Sequence, residues 1–160
     1  MDLIVAVYDD WGIGRDGTQP VALSADRRYF RQQTAGAAVI VGRRTMGDFP
    51  GGRPLPKRVN LVLTRDPDFS VPGAETVHSV EEALERTKAF PRTFVIGGAR
   101  VYGQFLSYCQ RAYVTKVHAT PESDVFFPNL DEDPAWRLAS ETAPETEDGI
   151  GYQFCIYERV

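Results

Sequence analysis

The chain has 160 residues, 42% of them apolar and 25% charged, with a formal net charge of -4. That length fits one domain, residues 1–160, with a sizeable core, and the acidic balance argues against a nucleic-acid partner. Cys109 and Cys155 form neither a disulfide framework nor a ligand spacing, His78 and His118 stand far from any cysteine pair, and no apolar run reaches membrane-spanning length. No metal and no membrane partner is expected, and a start unlike a signal peptide reads as a cytoplasmic protein with reduced thiols.

Leu3-Ile4-Val5-Ala6-Val7-Tyr8 is a continuous apolar run, as a strand buried on both faces should be. The polar, glycine-rich stretch Asp9 to Pro20 reads as a loop, either a mobile lid or an ordinary surface loop. It holds a literal G-x-G-x-x-G at Gly12, Gly14 and Gly17, but runs on into Thr18-Gln19-Pro20 instead of opening a helix, so it is not the dinucleotide fingerprint. Ser24 to Thr34 reads as a helix with Ser24 as N-cap and Asp26 in its first turn. Phe30, four residues on, shares the face of Asp26. Asp26 is either a dipole-complementing residue or a ligand carboxylate. Ala37 to Gly42 is a second buried strand, followed by Arg43-Arg44-Thr45 and a short helix from Met46 to Phe49. Pro50 to Pro56 is a turn-rich loop. Arg58 to Thr64 is a third strand, with Leu63, Thr64 and Arg65 at its end.

Ala74 to His78 is a short strand, and Ser79 to Arg86 a helix with a capping box of Ser79 and Glu82. Thr93-Phe94-Val95-Ile96 is a buried strand that runs through Gly97-Gly98 into a helix carrying Ala99, Arg100, Val101 and Tyr102. The glycine pair makes either a tight turn or an anion site, where bare backbone admits a ligand. Arg111 to Ala119 is a long strand, Ser123 to Pro128 a loop and Trp136 to Ser140 a strand. Tyr152 to Glu158 alternates as an antiparallel edge strand would. Three strand ends thus carry phosphate-type groups: Arg43-Arg44-Thr45, Thr64-Arg65 and Gly97-Gly98-Ala99-Arg100. In one parallel sheet they converge on its carboxyl edge and point to a phosphorylated dinucleotide, the arginines favouring NADP over NAD. A carboxylate such as Asp26, with no metal or nucleophile pair, fits proton transfer that accompanies hydride transfer.

Over essentially its whole length the sequence resembles dihydrofolate reductase. The matching segments are Ile4-Val5-Ala6, Gly12-Ile13-Gly14, Ala25-Asp26 with Phe30, Val39 to Thr45, Arg53 to Arg58, Val95 to Tyr102, Thr115, and Asp124 to Pro128. The resemblance implies an α/β fold: a mainly parallel eight-stranded sheet with an antiparallel C-terminal strand, flanked by about four helices. It implies NADPH-dependent reduction of 7,8-dihydrofolate to tetrahydrofolate by a monomer that also binds antifolates. Asp26 would then contact the pterin ring N–H and 2-amino group and assist protonation of the neighbouring ring nitrogen. Thr115 would bond Asp26 and the pterin, and Arg58 the α-carboxylate of the glutamate tail. Ile4, Val5, Ala6, Arg27, Phe30, Phe49, Ile96 and Tyr102 complete the substrate set. The resemblance also implies a cis peptide at Gly97-Gly98 beside the cofactor pyrophosphate. Arg43, Thr45 and Ala99 to Val101 would hold that pyrophosphate, with Arg44, Thr64 and Arg65 around the 2′-phosphate. Ala6, Ile13, Gly14, Gly42, Leu63, Ile96, Arg100 and Tyr102 complete the cofactor set.

Two positions depart from the family pattern. Val21 stands after Pro20 where a tryptophan is usual, and Arg27 follows Asp26 where an apolar residue is usual. They motivate one alternative, a reductase of another heterocycle on the same fold, such as a riboflavin-pathway pyrimidine; an alternative of a different class is a catalytically silent pterin- or nucleotide-binding protein.

Overall fold

A computed structural model describes all residues, 1–160. The strands are β1 (Asp2–Val7), β2 (Gly12–Gly14), β3 (Ala38–Gly42), β4 (Val59–Leu63), β5 (Ala74–Val77), β6 (Thr93–Gly97), β7 (Arg111–His118), β8 (Val125–Phe126), β9 (Trp136–Glu141), β10 (Glu145–Glu147) and β11 (Ile150–Arg159). The helices are α1 (Ser24–Thr34), α2 (Arg43–Gly47), α3 (Val80–Thr87) and α4 (Ala99–Phe105), with 3-10 turns at Pro50–Gly52 and Leu106–Tyr108. The main sheet runs β10-β11-β7-β1-β6-β3-β4-β5, and β9 pairs with β11 off that path. No helix is long and apolar enough to cross a membrane.

The chain forms two compact units, Met1–Leu3 with Gln33–Tyr108, and Ile4–Gln32 with Cys109–Val160. In the first, Asp2 and Leu3 pair in parallel with β6, and β6, β3, β4 and β5 continue in parallel. The apolar runs that predict strands buried on both faces are so buried: Val39, Ile40, Val41, Leu61, Val62 and Val95 have no accessible surface. Helix α4 turns Val101, Tyr102 and Phe105 inward at helical spacing. Ser79 caps α3 by accepting from Glu82 N–H at 3.0 Å, while the Glu82 carboxylate reaches back to His78 N–H at 2.9 Å, one residue beyond the usual capping-box partner.

In the second unit, β11 pairs antiparallel with β7 over eight residue pairs and with β9 and β10. Tyr8, Leu23, Ala25, Val117 and Tyr152 form one core cluster, with Val21 and Ile150 packed on it. Trp11 stacks on Phe127 with centroids 6.3 Å apart. The Tyr8 hydroxyl donates to the Val21 carbonyl at 2.8 Å and accepts from Val21 N–H at 2.9 Å.

Several sequence expectations need correction. Residues 152–158 are not an edge strand, because β9 and β10 cover the side of β11 away from β7. The loops expected at 9–20 and 123–128 contain β2 and β8, which pair with each other; two or three residues are too few to show a period. The helix expected at Met46–Phe49 starts instead at Arg43, directly after Gly42, since Arg and Met are good helix formers. Ser24 is not the cap of α1. Arg27 N–H bonds the Leu23 carbonyl at 3.2 Å, so Leu23 occupies the cap position and Ser24 is already helical.

Candidate active site

Asp26 lies in the first turn of α1, half-buried, on a helix whose only fully buried residues are Ala25 and Thr34. Its Oδ1 accepts a hydrogen bond of 2.7 Å from the hydroxyl of Thr115, which is fully buried on β7. Burial raises the Asp26 pKa, against lowering contributions from the Thr115 hydroxyl and the Arg27 guanidinium. A carboxylate so placed has one oxygen fixed by a strand residue and can chemically accept or release a proton. Phe30 is half-buried, Ile4 and Val5 are buried and Ala6 is half-buried, while Arg27 is exposed. Tyr29 stacks on Phe154 with centroids 4.0 Å apart.

The glycine loop of the same unit is tied down at two points. Asp124 Oδ2 accepts from Asp16 N–H at 2.9 Å, and Asp124 N–H donates to the Gly14 carbonyl at 2.9 Å. Arg15 and Thr18 close a tight turn whose central residues, Asp16 and Gly17, have φ of 50° and 80°. No helix follows Gly17 before Ser24, so the G-x-G-x-x-G here does not open one. Ile13 is half-buried and Gly14 buried.

In the other unit the three predicted strand ends lie on neighbouring parallel strands. The ends of β3 and β6 approach closely: a Cβ added to Gly42 would meet Val101 Cγ2 at 3.1 Å, and one added to Gly98 would meet Thr45 Oγ1 at 2.9 Å. The Gly97–Gly98 peptide bond is cis, as the resemblance implies, and Gly97 has φ 123°. Tyr102 is buried against Gly97 and donates its N–H to the Gly98 carbonyl at 2.9 Å. Ile96 is buried, Ala99 half-buried and Arg100 exposed. Arg43 is held by Asp66, Nη1 to Oδ2 at 3.0 Å, and its guanidinium lies 4.3 Å over the Phe69 ring. Leu63 and Thr64 are half-buried, and Arg44 and Arg65 are exposed. Arg58 donates from Nε to the Thr34 hydroxyl at 3.0 Å and from Nη1 to the Pro56 carbonyl at 2.7 Å. With Arg53, Leu55, Lys57 and Val71 it lines a groove of about 720 Å³. Phe49 is half-buried.

A family model described as dihydrofolate reductase matches residues 1–159. The chain belongs to the dihydrofolate reductase family. It is 37% identical to the dihydrofolate reductase of Staphylococcus haemolyticus over all of this chain and 96% of that one. It is 40% identical to that of Mycobacterium tuberculosis, covering 92% and 90% of the two chains. A solved dihydrofolate reductase from Enterococcus faecalis, complexed with NADP(H) and RAB-propyl, is similar with a TM-score of 0.88 and 31% identity over 99% of this chain and 95% of its own. The fold is that of the family, with eight strands on the main path, four α-helices and an antiparallel C-terminal strand.

Dihydrofolate reductase resemblance alone does not single out the residues that hold these groups in place. Asp66 and Phe69 fix Arg43, and the signal for Asp66 was present: its Oδ1 accepts from Asp68 N–H at 2.9 Å, an Asx turn that Asp66-Pro67-Asp68 encodes. Asp124 and Glu147 had weaker signals, since each acts on backbone more than a hundred residues away.

Proposed function

We propose that this protein reduces 7,8-dihydrofolate to 5,6,7,8-tetrahydrofolate with NADPH, and that Asp26 is its catalytic carboxylate. The observation that carries the assignment of Asp26 is its hydrogen bond from Thr115, which fixes one carboxylate oxygen on a half-buried face. Asp26 has two acceptor oxygens to match the pterin ring N–H and 2-amino group, a bidentate geometry. Burial shifts its pKa upward from the usual carboxylate range, which brings the carboxyl closer to the range in which it can pass a proton toward the neighbouring ring nitrogen. Ile4, Val5, Ala6, Phe30, Phe49, Ile96 and Tyr102 supply apolar surface for the flat heterocycles. Arg58, pre-aligned by Thr34 and Pro56, binds the α-carboxylate of the substrate's glutamate tail.

The residues fit NADPH. At Gly98 a side chain would collide with the Thr45 hydroxyl, so bare backbone and a hydroxyl face the same space, as a diphosphate requires. When bound, the cofactor supplies the hydride. Gly42, Arg43, Thr45 and Gly97 to Val101 hold the diphosphate, and Leu63, Thr64, Arg44 and Arg65 surround the adenosine end. Ile13 and Gly14, on the loop anchored by Asp124, exclude water from the nicotinamide. In this reading the protein works in the cytoplasm as a monomer on small molecules, and antifolates compete with the substrate.

Loss of NADPH absorbance on addition of dihydrofolate tests the proposal. A flat trace from folded, NADPH-binding protein would favour the silent alternative, and full dihydrofolate affinity in Arg58→Ala would count against folate.

A further inference from the structure

We infer that Glu147 is a positioning residue for Asp26: its carboxylate caps the first turn of α1 from the β10–β11 hairpin and sets where the catalytic carboxylate stands. This rests on the reading of Asp26 above.

Every helix begins with backbone N–H groups that have no partner within the helix. In α1 the cap position belongs to Leu23, whose side chain has no acceptor, so the usual local solution is missing. Glu147 replaces it from 123 residues away in sequence. Its Oε2 accepts from Ser24 N–H at 2.7 Å and its Oε1 from Ala25 N–H at 2.9 Å. One carboxylate thus spans two consecutive amides, and the next residue is Asp26. Those two amides, more than any other influence, hold the Glu147 carboxyl below the usual carboxylate range, with the Ser24 hydroxyl and Arg28 adding to them.

The hairpin is built to hold this contact. Glu147 pairs with Ile150 across a two-residue turn, Asp148 and Gly149, at φ 51° and 79°. Positive φ at both central residues is the type I′ geometry that Asp-Gly favours and that matches strand twist. Just beyond the turn, Ile150 and Tyr152 pack into the core cluster that contains Leu23 and Ala25. Hairpin base and helix start therefore share one apolar anchor beside the polar one. Asp26 is fixed twice, by Thr115 on its side chain and by Glu147 on the backbone one residue before it.

The electrostatic consequence has one sign. The exposed amides of a helix start favour a negative charge nearby, and the Glu147 carboxylate offsets them. Without it the uncompensated amides would stabilise ionised Asp26, and fraying of the first turn would wet it. Both changes lower the Asp26 pKa. Tyr8, Tyr29 and Arg27 are titratable groups that interact electrostatically with Asp26. Burial pushes Tyr8 up and Tyr29 up to about 12, so neither phenol titrates in the working range.

The test is the pH profile of kcat/KM for dihydrofolate, measured on Glu147→Ala and Glu147→Gln beside the unsubstituted protein and a Glu145→Gln control. Glu145 carries the same charge two residues earlier on the same strand. Activity that needs a proton at Asp26 declines as pH rises through its pKa. We expect Glu147→Ala to move that decline to lower pH by about half a unit, with Kd for NADPH unchanged. Glu147→Gln keeps one acceptor oxygen and should shift it less, in the same direction; it also serves if the alanine variant does not fold. Glu145→Gln should leave the profile in place. A lowered Tm with an unmoved profile would make Glu147 a hairpin stabiliser only and overturn the inference. An inactive unsubstituted protein would instead remove the functional reading beneath it.

Discussion

The Thr115 hydroxyl and the Asp26 carboxylate meet at 2.7 Å, a residue of the long strand β7 fixing one of helix α1 across 89 positions of sequence. Replacing Thr115 by Val keeps the shape and removes the donor. Burial already raises the Asp26 pKa and the hydroxyl opposes that rise, so its loss raises the pKa further. The alkaline decline of kcat/KM should move to higher pH, opposite to the Glu147 variants. KM for dihydrofolate should rise roughly tenfold, the scale of one hydrogen bond to a charged group. Thr115→Ser should restore both.

Asp26→Asn separates chemistry from stability. It should lower kcat/KM by about a hundredfold or more, as removal of a general acid or base does, with NADPH affinity retained. The fold should gain. A raised carboxyl pKa means that the folded chain favours the protonated group; that contribution is complete below the ordinary value of 3.8 and is lost as pH rises through the raised one. At neutral pH the asparagine, which never ionises, should therefore raise Tm by a few degrees. The gain should shrink toward acid pH, as calorimetry at several pH values would read.

Arg58→Ala removes a guanidinium pre-aligned on Thr34 and Pro56. Dihydrofolate affinity should fall roughly 10- to 100-fold, the range for charge-assisted hydrogen bonds. Ligand titrations should show NADPH affinity unchanged.

Gly98→Ala puts a methyl group 2.9 Å from Thr45 Oγ1. Because something must shift, Kd for NADPH should weaken by about tenfold or more, a loss of roughly 1.4 kcal/mol at least. Isothermal titration with the cofactor measures it.

His118 sits between two acceptors, Asp9 Oδ1 at 3.1 Å from Nδ1 and Gln153 Oε1 at 2.9 Å from Nε2. The Asp9 bond first, then the Gln153 bond, raises its pKa. The resulting stability is complete below the ordinary value of 6.5 and is lost as pH rises through the raised one. Asp9→Asn should flatten that part of the Tm-against-pH curve without moving the kcat/KM profile assigned to Asp26.

How much of this was legible in the sequence depended on range. The apolar runs around Val39, Leu61 and Val95 declare buried strands because each residue's neighbours in sequence carry the signal. The phosphate-type groups follow from where those runs stop. Asp26 was legible as a carboxylate sharing a face with Phe30. What could not be read was pairing: nothing local to Tyr152–Glu158 says that β9 and β10 cover its outer side. The strands Gly12–Gly14 and Val125–Phe126 are shorter than one recognisable period. The hairpin at Glu147 did leave a sign, the Asp148-Gly149 dipeptide, but its reach to Ser24 is a property of the fold alone.

The Tyr8 hydroxyl spends both its hydrogen-bonding roles on the main chain of Val21 and none on its side chain. At position 21, where the family usually carries an indole, that tether does not depend on the side chain, which here packs on the core cluster. The main chain at that residue is thus anchored by a phenol 13 positions upstream whatever side chain the position carries.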